Sequence, residues 1–235
     1  MADAYVRREY YQRTPPALLD ATRRREAVAR RLSVHAEADA ICLQEVDAPL
    51  FAIAVATLSG FTGRLLPRRD RTEGCALFVK HALMPSPVFE EIVFSDRSGH
   101  VAVAAAAGAL TIVSTHLRWE PDGTGPEAHR GRAELAEILD RWPSGSRIVC
   151  GDFNAGPDSV VLALARERGL SDAYAAMPDA YTCNANARKK RIDFILHSAD
   201  FTAVPSPLRP IADDTPLPGA DEPSDHLAIE ARLHR

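Results

Sequence analysis

Between residues 74 and 117 four apolar runs follow one another: GCALFVK, PVFEEIVF, HVAVAAAA and ALTIVSTHL. Each has the length of a strand, and turn formers part them at Pro85 to Pro87, at Ser98-Gly99 and at Gly108. Runs so short and so closely spaced leave no room for a helix between them. A chain with this middle must build a sheet and bury at least one face of it.

Helical patterns occur only on either side of that block. Asp20 is a good N-cap for a helix reaching to about Val34, with Val28 and Leu32 four residues apart. The short run ADAICLQEV reads as a buried strand, after which Asp47 caps APLFAIAVATLSG, closed by Gly60. PEAHRGRAELAEILDRW is predicted helical, because Leu135, Ile138, Leu139 and Trp142 fall at i, i+3, i+4 and i+7. RIVCGDFN then reads as a strand, and Asp158 is the expected cap of SVVLALARERG, which Gly169 ends. RIDFILHS and HLAIEARL are the last two strands; residues 203–224 carry six prolines and read as a surface loop. The expectation is an α+β chain: two mainly antiparallel β-sheets packed face to face with helices on the outside. No domain boundary is evident, so residues 1–235 are read as one domain.

Composition narrows the function. A length of 235 residues suffices for a sizeable core, and a net charge of -4 argues against an overall basic nucleic-acid coat while leaving room for a local patch. No window nears the ~20 apolar residues of a membrane span, and the N-terminus has no apolar stretch of a signal peptide. Cys42, Cys75, Cys150 and Cys183 have no metal-ligand spacing and read as reduced thiols of a cytoplasmic protein. No obligate protein partner is evident.

The chemistry lies at strand ends. AICLQE ends at Glu45, TIVSTH at His116 and RIVCGD at Asp152, with Asn154 two residues on. Asp193 opens FILHS, and Asp225 and His226 stand at the entry to the last strand. Singly each is ordinary, since acids near strand ends usually face water or cap the next element. Together they form a set that one sheet end could gather. Carboxylate and amide oxygens are the hard donors that Mg²⁺ prefers, with Mn²⁺ as an alternative. Histidines beside such an ion suit an anionic substrate. No nucleophile motif, glycine-rich phosphate loop or zinc spacing competes, so metal-assisted water attack on a phosphoester is the reaction class that these residues support.

The ordered set LQE, THL, GDFN, IDFIL and PSDH, from residue 43 to residue 226, resembles the endonuclease/exonuclease/phosphatase superfamily. The segment before LQE, with a Tyr, a Pro-rich turn and an Arg-bearing helix, is most similar to its nocturnin-like deadenylase branch. The resemblance implies a four-layer α/β sandwich of the DNase I type. It also implies that Glu45 ligates Mg²⁺, with Asp225 beside the metal. Asp152 would orient or deprotonate the attacking water, and Asn154 would help hold it. His226, fixed by Asp193, would contact the scissile phosphate, with His116 on the other side. Glu73, in TEGCALF, would orient His116. The family pattern further includes a first strand ending in Asn just before an ADAY-like segment. Met1 stands just past that position, so weaker Mg²⁺ binding and slower turnover are expected than for a form extended upstream.

Two features bear on substrate. The stretch ARKKR puts Arg188, Lys189 and Lys190 just before Asp193, and Trp119 follows THLR, where it could stack on a base. The helix after Asp20 is also basic, with Arg23, Arg24, Arg25, Arg30 and Arg31. The reading is a Mg²⁺-dependent phosphodiesterase acting on RNA or single-stranded nucleic acid. The alternatives are a phosphatase for a small phosphoester (a nucleotide, a cyclic phosphate end or an inositol phosphate) and a catalytically weakened binding protein of the same fold.

Overall fold

The structure is a computed structural model that describes residues 5–184 and 188–235. Ala187, the first residue of the ARKKR stretch, lies outside them, as do the first four residues. A 3-10 turn at Pro16–Leu18 precedes α1 (Ala21–Val34), β1 (Ala40–Asp47), α2 (Ala48–Thr57), β2 (Phe61–Pro67) and β3 (Glu73–Lys80). Then come β4 (Val88–Val93), β5 (Val101–Ala107), β6 (Leu110–His116), α3 (Arg130–Arg141) and β7 (Ser146–Asp152). The chain continues through α4 (Val160–Glu167), β8 (Leu170–Asp172), β9 (Asp193–Ser198), β10 (Thr202–Pro205) and β11 (Ala231–His234).

The strands form a three-stranded sheet in the order β1-β3-β2, a six-stranded sheet in the order β4-β5-β6-β7-β9-β8, and the separate pair β10-β11. Among these pairings only β6 with β7 is parallel, because α3 intervenes and carries the chain back to the starting end. Period-two alternation explains the layers. Cys75, Leu77 and Val79 of β3 pack on Val101, Val103 and Ala105 of β5 and Ile112 of β6, which fills the space between the two sheets. Ala76 and Phe78, on the other face of β3, meet Leu32 of α1 and Leu50 and Ala54 of α2. Ala102 and Ala104, on the far face of β5, share a core with Leu135, Ile138 and Leu139 of α3 and Val161 and Leu162 of α4. Two sheets thus lie between two helical layers, the four-layer arrangement expected.

Several local expectations change. The cap of α4 is Ser159, whose side chain accepts from the Leu162 amide, not Asp158. Helix α3 starts at Arg130, with the His129 ring accepting from the Arg132 amide, so PEAH is not helical. The last strand is only Ala231–His234. Strand β2 went unread because Gly63 and Arg64 interrupt its pattern. The reason for Gly63 is tertiary: a Cβ there would lie 2.3 Å from the Phe78 ring. Residues 203–224 are not simply surface, since β10 opens them and Ile211 and Leu217 are buried with Leu227. All four cysteines are free thiols; Cys75 and Cys183 are buried, whereas Cys42 and Cys150 are partly exposed. Among the described residues no helix is long and apolar enough to cross a membrane.

Candidate active site

Strand register builds the site. In the six-stranded sheet His116 of β6 is paired with Asp152 of β7, and Asp152 with Asp193 of β9. Three chemically active side chains therefore stand in one row across three adjacent strands, at one end of the sheet. His226 closes the row: its Nδ1 lies 2.9 Å from Oδ2 of Asp193, and its backbone forms an isolated bridge with Cys183. Donor atoms of Asp152, Asp193 and His226 all lie within 4.8 Å of one another.

Gly151 makes this row possible. It stands inside β7, paired with Thr115 and Phe194, and does not form a turn. Its φ is 149°, and a Cβ would meet the Thr115 carbonyl oxygen at 1.8 Å. Glycine is there because β6 and β7 approach too closely for any side chain. Beyond it, Phe153 is fully buried and packs edge-on against Phe194 with centroids 5.4 Å apart, which pins the strand end. Asn154 then adopts φ 50°, and its amide donates to Oδ1 of Asp152 at 2.7 Å.

Glu45 is presented by a different device. Strand β1 does not end there but continues to Asp47, with a register shift between Leu43 and Val46. Within that bulge Glu45 has φ 55°, a left-handed conformation that costs energy for a residue with a Cβ. Its carboxyl lies within electrostatic reach of Asp225 and His226. Burial, together with the carboxylates of Asp225 and Glu73, raises its pKa above the ordinary value. Asp225 accepts a hydrogen bond at Oδ2 from the Tyr11 hydroxyl, 3.0 Å away.

His116 is held neutral. Burial, then the nearby charges of His100 and Arg68, push its pKa well below the ordinary value. Nδ2 of Asn154 donates to its Nε2 at 3.0 Å and to the Leu117 carbonyl at 3.0 Å, and the second bond fixes which way the amide faces. Nε2 therefore accepts, which places the ring proton on Nδ1. Asp152 Oδ2 lies 3.6 Å from the same nitrogen. His100 braces this residue from behind: its Nδ1 donates to the His116 carbonyl at 2.8 Å, and the two rings meet edge to face at 5.4 Å.

The remaining charges are divided. Asp152 is pushed up to about 8, by burial first and then by Asp193. Burial opposes protonation of His226, but Asp193, Asp152 and Asp225 outweigh it and raise its pKa well above the ordinary value. A proton on the imidazole offsets part of the negative charge of the row, in which Asp152, Asp193 and His226 are spaced as a group that could hold a metal ion. Among the described residues Glu45 and Asp225 form no ion pair. Two partly buried oxygen donors that repel each other are suited to a hard divalent ion.

Glu73 does not bond His116. It accepts from the Tyr5 hydroxyl at 2.6 Å and lies 3.8 Å from Arg68. Of the substrate candidates, Lys190 is tied to the site by backbone: it bridges Cys183, which also bridges His226. Lys189 places its ammonium 4.3 Å from the Tyr181 ring centre, and Arg188 is exposed. Trp119 is 54% exposed, three residues past His116. The basic helix is only partly a solvated face, since Arg24 is 2% exposed and Arg31 pairs with Glu222 at 3.5 Å. Tyr5, Tyr11 and His100 were not expected at the site. The first two lie far upstream in sequence, and His100 looked like the start of a strand.

The family model described as "Endonuclease/Exonuclease/phosphatase family" matches residues 10–226, and the chain belongs to that family. Among curated relatives it is 23% identical over 305 residues to 2',5'-phosphodiesterase 12 of Bos taurus, covering 99% of this chain and 50% of that one. It is 28% identical over 233 residues to nocturnin of Mus musculus, covering 81% and 53%. The chain thus spans about half the length of these relatives. Among solved structures it shares its fold with ANGEL2, a 2',3'-cyclic phosphatase, at a TM-score of 0.80 and 18% identity, over 99% of this chain and 92% of that one. These likenesses place it with the nocturnin-like branch of the family.

Proposed function

We propose that the chain is a divalent-metal-dependent phosphoesterase whose substrate is a phosphodiester in RNA or single-stranded nucleic acid. The observation that carries the reading is the row His116–Asp152–Asp193, closed by His226. Family membership and relatives named 2',5'-phosphodiesterase 12 and 3'-5'-exoribonuclease subunit Ccr4 support a phosphodiester over other esters.

Glu45 and Asp225 would hold the cation, Mg²⁺ or Mn²⁺, which when bound neutralises charge on the phosphoryl oxygens. Asp152, with a pKa near the working range, takes the proton of the attacking water. The Asn154 backbone bond to Oδ1 fixes that carboxylate, leaving Oδ2 for the water. His226 donates from Nε2 to a phosphoryl oxygen, and Asp193 on Nδ1 keeps the imidazolium oriented and charged. As the neutral Nδ1–H tautomer, His116 would hold the Asn154 amide through Nε2 rather than donate to the phosphate itself. Arg188, Lys189 and Lys190 would follow the nucleic-acid backbone, and Trp119 would stack on a base.

The test is cleavage of end-labelled RNA with and without EDTA, in the native chain and in Asp152→Ala and His226→Ala. Metal-dependent cleavage that both variants lose supports the reading. Release of inorganic phosphate from nucleotides or cyclic phosphate ends with intact RNA supports the small-molecule alternative. Mg²⁺ binding without turnover of any substrate would leave a binding protein of the same fold.

A further inference from the structure

The segment from Tyr5 to Thr14 lies across the site. Its Tyr5 hydroxyl holds Glu73, and its Tyr11 hydroxyl holds Asp225. Beside Glu73, and walled in part by this strap, is a cleft of about 560 Å³ whose lining includes Tyr5, Arg7, Tyr10, Asp70, Arg71 and Glu73. That volume falls in the range of small-ligand sites, roughly 300–1,000 Å³.

Its charges are unequally matched. Asp70 lies 3.8 Å from the Arg69 guanidinium, and Glu73 is held by Tyr5 and lies 3.8 Å from Arg68. Arg7 and Arg71 form no ion pair among the described residues. Two unmatched guanidinium groups thus share a small cleft with two phenol rings, and Tyr10 is 67% exposed although large and mostly apolar. Guanidinium forks recognise phosphate, and an exposed flat ring gains by covering itself with another.

We propose that this cleft binds a nucleotide unit of the substrate, its base against Tyr10 and its phosphate on Arg7 and Arg71. The proposal rests on the phosphoesterase reading only for its direction: Glu73 lines the cleft and lies within electrostatic reach of Glu45, so the bound unit would sit on the side of the candidate metal ligands. It assigns base contact to the strap as well as to Trp119.

The test is equilibrium binding by calorimetry on the full chain in EDTA, with AMP as probe and ribose 5-phosphate as the same anion without a base. The native chain should bind AMP at least about tenfold tighter than ribose 5-phosphate. Tyr10→Ala should remove that difference, Tyr10→Phe should keep it, and Arg71→Ala should weaken both ligands about tenfold. Both positions are on the surface, so unchanged thermal midpoints in the three variants verify the fold. Equal affinity for the two ligands overturns the proposal, as does native AMP affinity in both Tyr10→Ala and Arg71→Ala. Turnover is not needed for this readout. A chain that binds AMP as described but cleaves no phosphoester keeps the cleft and refutes the enzyme; one that cleaves RNA yet makes no distinction between the ligands does the reverse.

Discussion

The hydroxyl of Tyr11 donates to Oδ2 of Asp225 across 3.0 Å of space and 214 residues of sequence. Both groups belong to segments without regular structure, and each restrains the other. Burial, then the charge of Asp225, raises the Tyr11 phenol far above its ordinary range, so it remains a donor at every working pH. Tyr11→Phe should keep the fold, with a loss of about 1.5–3 kcal/mol for one hydrogen bond to a charged acceptor. The freed Asp225 carboxylate then loses its orientation. The Mg²⁺ concentration for half-maximal hydrolysis should rise several-fold, with a smaller change at saturating metal. A metal titration identical to that of the native chain would rule out a positioning role.

Asp193 and His226 should act as one unit. Asp193→Asn removes the charge that keeps the imidazolium protonated while preserving a side chain of the same shape. The expected loss in kcat is about 10²–10⁴-fold, the usual worth of a positioned proton donor. Combining it with His226→Ala should cost little more than His226→Ala alone, because both remove the same interaction. Additive losses in single-turnover assays would show that the two residues act separately.

Gly151→Ala tests the strand contact beneath the site. The added methyl would lie 1.8 Å from the Thr115 carbonyl oxygen, which is backbone and cannot rotate away. A destabilisation of about 3 kcal/mol or more is expected in urea unfolding, with activity lost in parallel. Native stability for this variant would mean that β6 and β7 can part without harm.

Glu134 gives the chain a pH-dependent stability. It is fully buried on α3, and it accepts from the Arg118 amide at 2.6 Å and the Ser98 hydroxyl at 2.7 Å. Burial raises its pKa from 4.5 to about 8, against the pull of those two donors. A carboxyl whose folded pKa is raised binds its proton more tightly in the fold than in the unfolded chain. Its contribution is therefore full below the unfolded pKa and declines as pH rises through the folded one. The thermal midpoint should fall between about pH 5 and about pH 8 for this reason. Glu134→Gln, which has no proton to lose, should flatten that slope and equal or exceed the native stability at the alkaline end. An unchanged slope would assign the pH dependence to other groups.

The candidate site residues were legible because polar groups that are ordinary singly recur beside apolar runs throughout one chain. Glu45, His116, Asp152, Asn154, Asp193, Asp225 and His226 all emerge from local pattern, since a two-residue period and a following polar group need no knowledge of the fold. The strands of the middle block and the caps at Asp20 and Asp47 are legible for the same reason, being short-range physics.

What local pattern could not supply is everything set by contact between distant segments. Gly63 and Gly151 look like turn formers, and only the packing of the Phe78 ring and the Thr115 carbonyl against them reveals close approach. The bulge that gives Glu45 its left-handed backbone depends on the register of β1 against β3, which the sequence of β1 does not encode. Glu73 was expected on His116 but bonds Tyr5, because a strap from the N-terminal side reaches it first. The sequence by itself determined which functional groups are present and that His116, Asp152 and Asp193 stand at strand ends. The tertiary structure alone decided that parallel β6–β7 and antiparallel β7–β9 pairing set three of them side by side, that His100 braces His116, and that Tyr5 and Tyr11 bond Glu73 and Asp225 beside them. Register, strand order and buried hydrogen bonds are long-range quantities, fixed only when segments tens to hundreds of residues apart exclude water together.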